Sequence, residues 1–130
     1  MNAVRHTFSK EERLCSNKII ERLLDRQQNS SVFIFPILFA WIETPLPGRF
    51  PTQVLISVPR RRFRKAHDRN LLKRRLREAY RLHKHQLYDF LRNRQMQVAL
   101  LVMYNSNELH DYSFIEEKLI SAFEKFQHKV

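Results

Sequence analysis

The chain is 130 residues long, 43% hydrophobic and formally +11 at pH 7, with 24 Lys and Arg against 13 Asp and Glu. That length holds one domain with a real core, so residues 1–130 are expected to form a single unit, and the charge excess suits a polyanion as partner. The lone Cys15 excludes an internal disulfide, and the lone Gly48 excludes the glycine-rich loops that cradle nucleotide phosphates.

Met1 to Lys10 lacks the charged, apolar and small-residue pattern of a secretion signal, and the cytosol is the expected compartment. Ser9 and Glu12 have capping-box spacing, and Ser16 is the stronger start for a helix over Asn17 to Arg26. In that helix Ile19 with Leu23 and Ile20 with Leu24, each four apart, make one broad apolar face. Val32 to Ile42 reads as a strand in which Pro36 marks an edge, a break or a bulge. Both parities are apolar: Phe33, Phe35, Ile37, Phe39 and Trp41 on one side, Ile34, Leu38, Ala40 and Ile42 on the other. Such a strand is covered on both faces or offers one as a binding platform, and parity does not separate core from stacking surface. Thr44 to Phe50 is a turn region, and Gln53 to Val58 is a second strand expected to pair with the first as a hairpin.

Arg60 to Lys84 carries 12 of the 24 Lys and Arg against only Asp68 and Glu78, which concentrates nearly all the net charge in one segment. After a basic loop to His67, Asp68 is the expected N-cap of a helix reaching about Leu91. At about 100° per residue, Leu72, Leu76, Ala79, Tyr80, His83 and Leu87 share one side and Asn70, Lys73, Arg74, Arg77, Arg81 and Lys84 the other. Like charges four apart, as in Lys73 with Arg77, destabilise a free helix, so their accumulation points to RNA or DNA as the partner. Glu78 is placed to orient Arg74 and Arg81. Gln97 to Tyr104 is a buried strand. Ser113 and Glu116 form a capping box for a last helix to about Gln127, packed through Ile115, Leu119, Ala122, Phe123 and Phe126. The order helix, two strands, basic helix, strand, helix is that of a small α+β two-layer sandwich, a mixed sheet packed by helices. No apolar run is long enough to cross a membrane.

No catalytic constellation stands out. The six His are scattered, no paired carboxylates or metal-ligand spacing occur, and the expected catalytic and metal residues are none. A helix-turn-helix DNA reader would need a short helix before the basic one, and Arg60 to His67 argue against it.

The run from Lys65 to Glu78 resembles the signature of the bacterial ribonuclease P protein component, A-x-x-R-N-R-x-K-R-x-x-R-E. Ala66, Arg69, Asn70, Lys73, Arg74, Arg77 and Glu78 stand in register, with Arg61 and Arg62 where that family has a pair of lysines. Leu71 departs from the third position of the R-N-R triplet, with Arg75 as a nearby substitute. Ile20 and Leu24 replace two helical phenylalanines of the family's leader-binding groove.

The resemblance implies a ribosomal protein S5 domain 2-like fold with a left-handed βαβ crossover. It also implies a division of labour in which an RNA subunit holds the catalytic Mg2+ and removes the 5′ leader of precursor tRNA. The protein would bind that ribonuclease P RNA through Arg61, Arg62, Lys65, Arg69, Asn70, Lys73, Arg74, Arg77 and Arg81. It would take the leader in a groove lined by Ile20, Leu24, Phe35, Phe39 and Trp41. The expectation is an accessory subunit of a cytoplasmic ribonucleoprotein, with no membrane and no disulfide partner. The rival with the same charge pattern is a non-enzymatic ribosomal or chromosome-organising protein.

Overall fold

The computed structural model describes residues 7–130. Ser16 caps the first helix, α1 (Asn17–Leu24), by accepting from the Ile19 amide at 3.4 Å. It ends two residues earlier than the apolar spacing suggests, because Asp25 turns the chain and accepts from the Gln27 amide at 2.9 Å.

Pro36 is a break. It splits the apolar run into β1 (Ser30–Ile34) and β2 (Ile37–Glu43), which pair antiparallel with Phe33 opposite Leu38. The expected hairpin between this run and the next strand does not form. Instead β3 (Thr52–Ser57) lies parallel to β4 (Val98–Tyr104), and the sheet order is β1-β2-β4-β3. The physical reason lies in β4, whose seven residues are all apolar or aromatic and which therefore takes a central place between two neighbours. The helix joining β3 to β4 returns the chain to the same end of the sheet, which makes the pair parallel.

That helix, α2 (Ala66–Asn93), has Lys65 at its N-cap, three residues before the expected Asp68. Asp68 sits in the first turn, where its charge still favours the positive end of the helix dipole. At the far end Met96 N donates to Leu91 O at 2.9 Å and Gln95 N to Arg92 O at 3.1 Å, a Schellman closure with Gln95 at φ +56°. The last helix, α3 (Tyr112–Lys129), is capped by Asp111 rather than Ser113, through Phe114 N at 2.9 Å. Glu116 is drawn away from a capping role by His83, 2.9 Å off, and by Tyr112, which donates at 3.0 Å.

The register sorts the sheet into two faces. Ile37, Phe39, Trp41, Leu100, Val102 and Tyr104 pack against α2 and α3 through Leu76, Tyr80, Phe123 and Phe126. Ala40, Ile42, Ala99 and Leu101 pack with Leu14, Leu23 and Leu46 beneath the small α1 on the opposite face. A sheet apolar on both sides needs cover on both, and eight residues of helix cover only part of one.

Lys84 also departs from its expected place on the cationic side. It stands four residues from both Tyr80 and Tyr88 and so shares their buried stripe. There it pairs with buried Glu12, which also accepts from Tyr88 Oη at 2.7 Å and from Ser9 N at 2.6 Å. Burial alone would raise the Glu12 carboxyl, but the hydrogen bonds from Lys84, Ser9 and Tyr88 outweigh it and hold it below 4.5.

Candidate nucleic-acid interface

The loop before α2 is basic yet firmly held. Phe63 is buried against Tyr104, with ring centroids 5.9 Å apart. Arg69, one helical turn into α2, donates to the carbonyls of Phe63 and Arg64 at 2.7 and 2.8 Å. Arg62 reaches the loop after β4, donating to Asn107 Oδ1 at 3.2 Å and also to Asn105 Oδ1. Arg69 thus spends its donors on the loop before α2, and Arg62 on the loop after β4.

With the loop pinned, Arg61, Lys65, Asn70, Arg74 and Arg77 stand exposed, and Lys73 is half-buried at the edge of the same face. Arg81 is held by Glu78, at 2.5 and 3.2 Å, and this bond keeps the Glu78 carboxyl below its usual range. Arg60 and Arg64 are exposed on the same loop and were absent from the candidate set. Their signal was the loop's charge run itself. Arg75 does not stand in for the missing charge at Leu71, because its guanidinium donates to the His110 carbonyl.

The apolar candidates divide. Ile20 is half-buried at the rim of α1, and Leu24 and Phe35 are exposed. Phe39 and Trp41, at 0% and 5% exposure, are on the other face of the sheet, where Trp41 meets Phe126 at 4.7 Å and Phe39 meets Phe123 at 5.7 Å. They belong to the core and cannot line a groove beside α1. The break at Pro36 resets the parity, so Phe33 shares its face with Leu38 and not with Phe39. On the α1 face the half-buried Leu38, Leu55 and Met103 extend past the cover of the helix, with Phe33 at the outer edge. Splitting the run at Pro36 puts Phe33 beside Leu38, while Leu55 and Met103 join them only through the pairing with β4.

A family model described as Ribonuclease P matches residues 8–127. The chain belongs to the ribonuclease P family. It is 44% identical over 68 residues to the ribonuclease P protein component of Porphyromonas gingivalis, in each of two strains. That match spans about half the length of those curated relatives, 50%, and 52% of this chain. Its fold is that of the Staphylococcus aureus RNase P protein, with TM-score 0.66, 17% identity and 88% and 94% of the two chains covered. The Thermotoga maritima RNase P protein gives 0.63 at 21% identity, covering 88% and 96%. Asn70, Arg74 and Arg77 are exposed along α2, and Arg69 in its first turns holds the preceding loop. Among the described residues no helix is long and apolar enough to cross a membrane.

Proposed function

We propose that this chain is the protein subunit of ribonuclease P, binding the catalytic RNA and the 5′ leader of precursor tRNA during removal of that leader. The observation that carries the reading is the pinned basic surface. Arg69 and Arg62 fix the loop while Arg61, Lys65, Arg74 and Arg77 face outward, Arg74 and Arg77 in the register of the motif that the chain resembles. Fixed cations on a rigid helix dock on phosphates and set orientation without reading sequence. The apolar strip beside α1, with Ile20, Leu24, Leu38 and Met103, would take the single-stranded leader with modest sequence preference.

Among the described residues no group of three or more His, Cys, Asp or Glu comes together to hold a metal ion. In this reading RNA phosphates hold the Mg2+ of the reaction, and the RNA performs the cleavage. The test is reconstitution with a bacterial ribonuclease P RNA. Added protein should lower the Mg2+ requirement and favour substrates that carry a leader. Binding to the RNA with neither effect would make this a non-enzymatic RNA-binding protein instead.

A further inference from the structure

The loop between β4 and α3 meets the basic loop at Arg62. Arg62 donates to Asn107 Oδ1 at 3.2 Å and to Asn105 Oδ1, so both its terminal nitrogens are held by neutral carboxamides. A carboxylate in that place would hold the fork as firmly and cancel its charge, whereas an asparagine fixes the fork and leaves the charge whole. Among the described residues no acid pairs with Arg61 or Arg62, and Arg62 Nε is buried without a partner. The loop that carries the asparagines is itself fixed. Asn105 N donates to Pro36 O at 2.7 Å, and the buried Ser106 Oγ accepts from Glu108 N at 3.1 Å. Between the two loops opens a cavity of about 330 Å³ lined by Arg61, Arg62 and Asn107, with no acid on its wall. Arg61 and Asn107 are exposed there. With Oδ1 turned to Arg62, the Asn107 Nδ2 amide is the corner of the carboxamide left for a ligand.

We propose that Asn107 is an RNA contact, and that with Arg61 and Arg62 it seats one phosphate of the ribonuclease P RNA. The wall offers donors only, two guanidinium groups and a carboxamide whose oxygen is occupied. A phosphate oxygen only accepts and so matches such a wall, whereas base edges mix donors with acceptors. Two arginines without an acid at one opening supply the complementary charge. The cavity borders the exposed Arg60, Arg64 and Lys65, which suits one phosphate of a chain of phosphates better than a lone anion. The inference rests on the chain binding ribonuclease P RNA, and it adds the loop after β4 to the surface that does so.

Filter binding of the full chain to a bacterial ribonuclease P RNA across a salt series tests the seat. Asn107→Ala keeps every cation, so it should weaken binding by roughly tenfold with the slope of log affinity against log salt unchanged. Asn107→Asp keeps an acceptor for Arg62 but brings a negative charge to the phosphate. It should weaken binding further and flatten the slope by about 1, with a thermal midpoint no lower than the parent's. Asn93→Asp makes the same change of charge at the far end of α2 and should bind within about twofold of the parent. If Asn107 only steadied Arg62, Asn107→Asp would bind like the parent while Asn107→Ala lost affinity, and that result overturns the contact. Parent-like binding by both Asn107 variants, or an equal loss in Asn93→Asp, overturns it as well. A parent chain that does not bind the RNA overturns the proposed function itself, and the seat with it, before any variant is compared.

Discussion

At the scale of single residues, the Lys84–Glu12 pair shows how a basic protein uses charge for its own stability. A charge inside the protein is tolerated only when paired and hydrogen-bonded, and Glu12 gathers Lys84, Tyr88 and the Ser9 amide for that purpose. Lys84→Met removes the cation and leaves the carboxylate buried, so at neutral pH the variant should lose about 3–5 kcal/mol in urea unfolding. The pH dependence follows from the direction of the Glu12 shift. A carboxyl lowered in the folded state contributes fully above its unfolded value near 4.5 and loses that contribution as pH falls through the lower folded value. The gap between parent and Lys84→Met should therefore narrow in unfolding curves taken at about pH 3.5 compared with pH 7. A gap that stays constant would show that Lys84 acts through packing alone. By contrast, Glu116 is lowered by its bond to His83, tying α2 to α3 in a half-exposed setting where the same chemistry contributes less.

At the scale of elements, helix ends carry most of the difference between what the sequence suggests and what forms. Ser16 was legible as a cap because its side chain competes with no other partner. Ser113 was not, because Asp111 lies two residues earlier and Glu116 is claimed by α2. The strand register was hidden for a related reason: both parities of residues 32–42 are apolar, so nothing local told which face Phe39 and Trp41 would take. Only the pairing with β4 and the arrival of Phe123 and Phe126 from α3 decide it, and those are contacts between distant segments. On the basic helix the exposure of Asn70, Arg74 and Arg77 follows the 3.6-residue period, whereas the burial of Lys84 and the turn of Arg75 toward His110 depend on Glu12 and the loop after β4, which lie far away in sequence.

The same scale offers a direct test at the end of α2. Gln95 occupies the left-handed region that glycine adopts without steric cost, and it closes the Schellman turn between α2 and β4. Gln95→Gly should raise stability by about 0.5–1 kcal/mol, with relief of the Cβ clash exceeding the extra freedom of the unfolded chain. A rise in thermal midpoint with an unchanged denaturant slope is the expected result. A fall would place the Gln95 side chain in a packing role.

At the scale of the whole molecule, the charge is divided by position. Nearly all the excess lies between Arg60 and Lys84, and within that stretch Lys84 is neutralised by Glu12, Arg81 is paired with Glu78, and Arg75 is turned toward α3. What remains outward is a narrower set, Arg60, Arg61, Arg64, Lys65, Arg74 and Arg77, on a loop and helix that cannot easily move apart. Each residue that displaces a counterion from RNA contributes about one to the slope of log affinity against log salt. Arg74→Ala should therefore flatten that slope by about 1 for ribonuclease P RNA, measured by filter binding across a salt series. Arg75→Ala should leave the slope unchanged, because its guanidinium already has the His110 carbonyl as partner, and should instead lower stability. Equal slopes for parent and Arg74→Ala would remove that residue from the RNA contact. A flattened slope in Arg75→Ala would show that the bond to His110 gives way when RNA arrives.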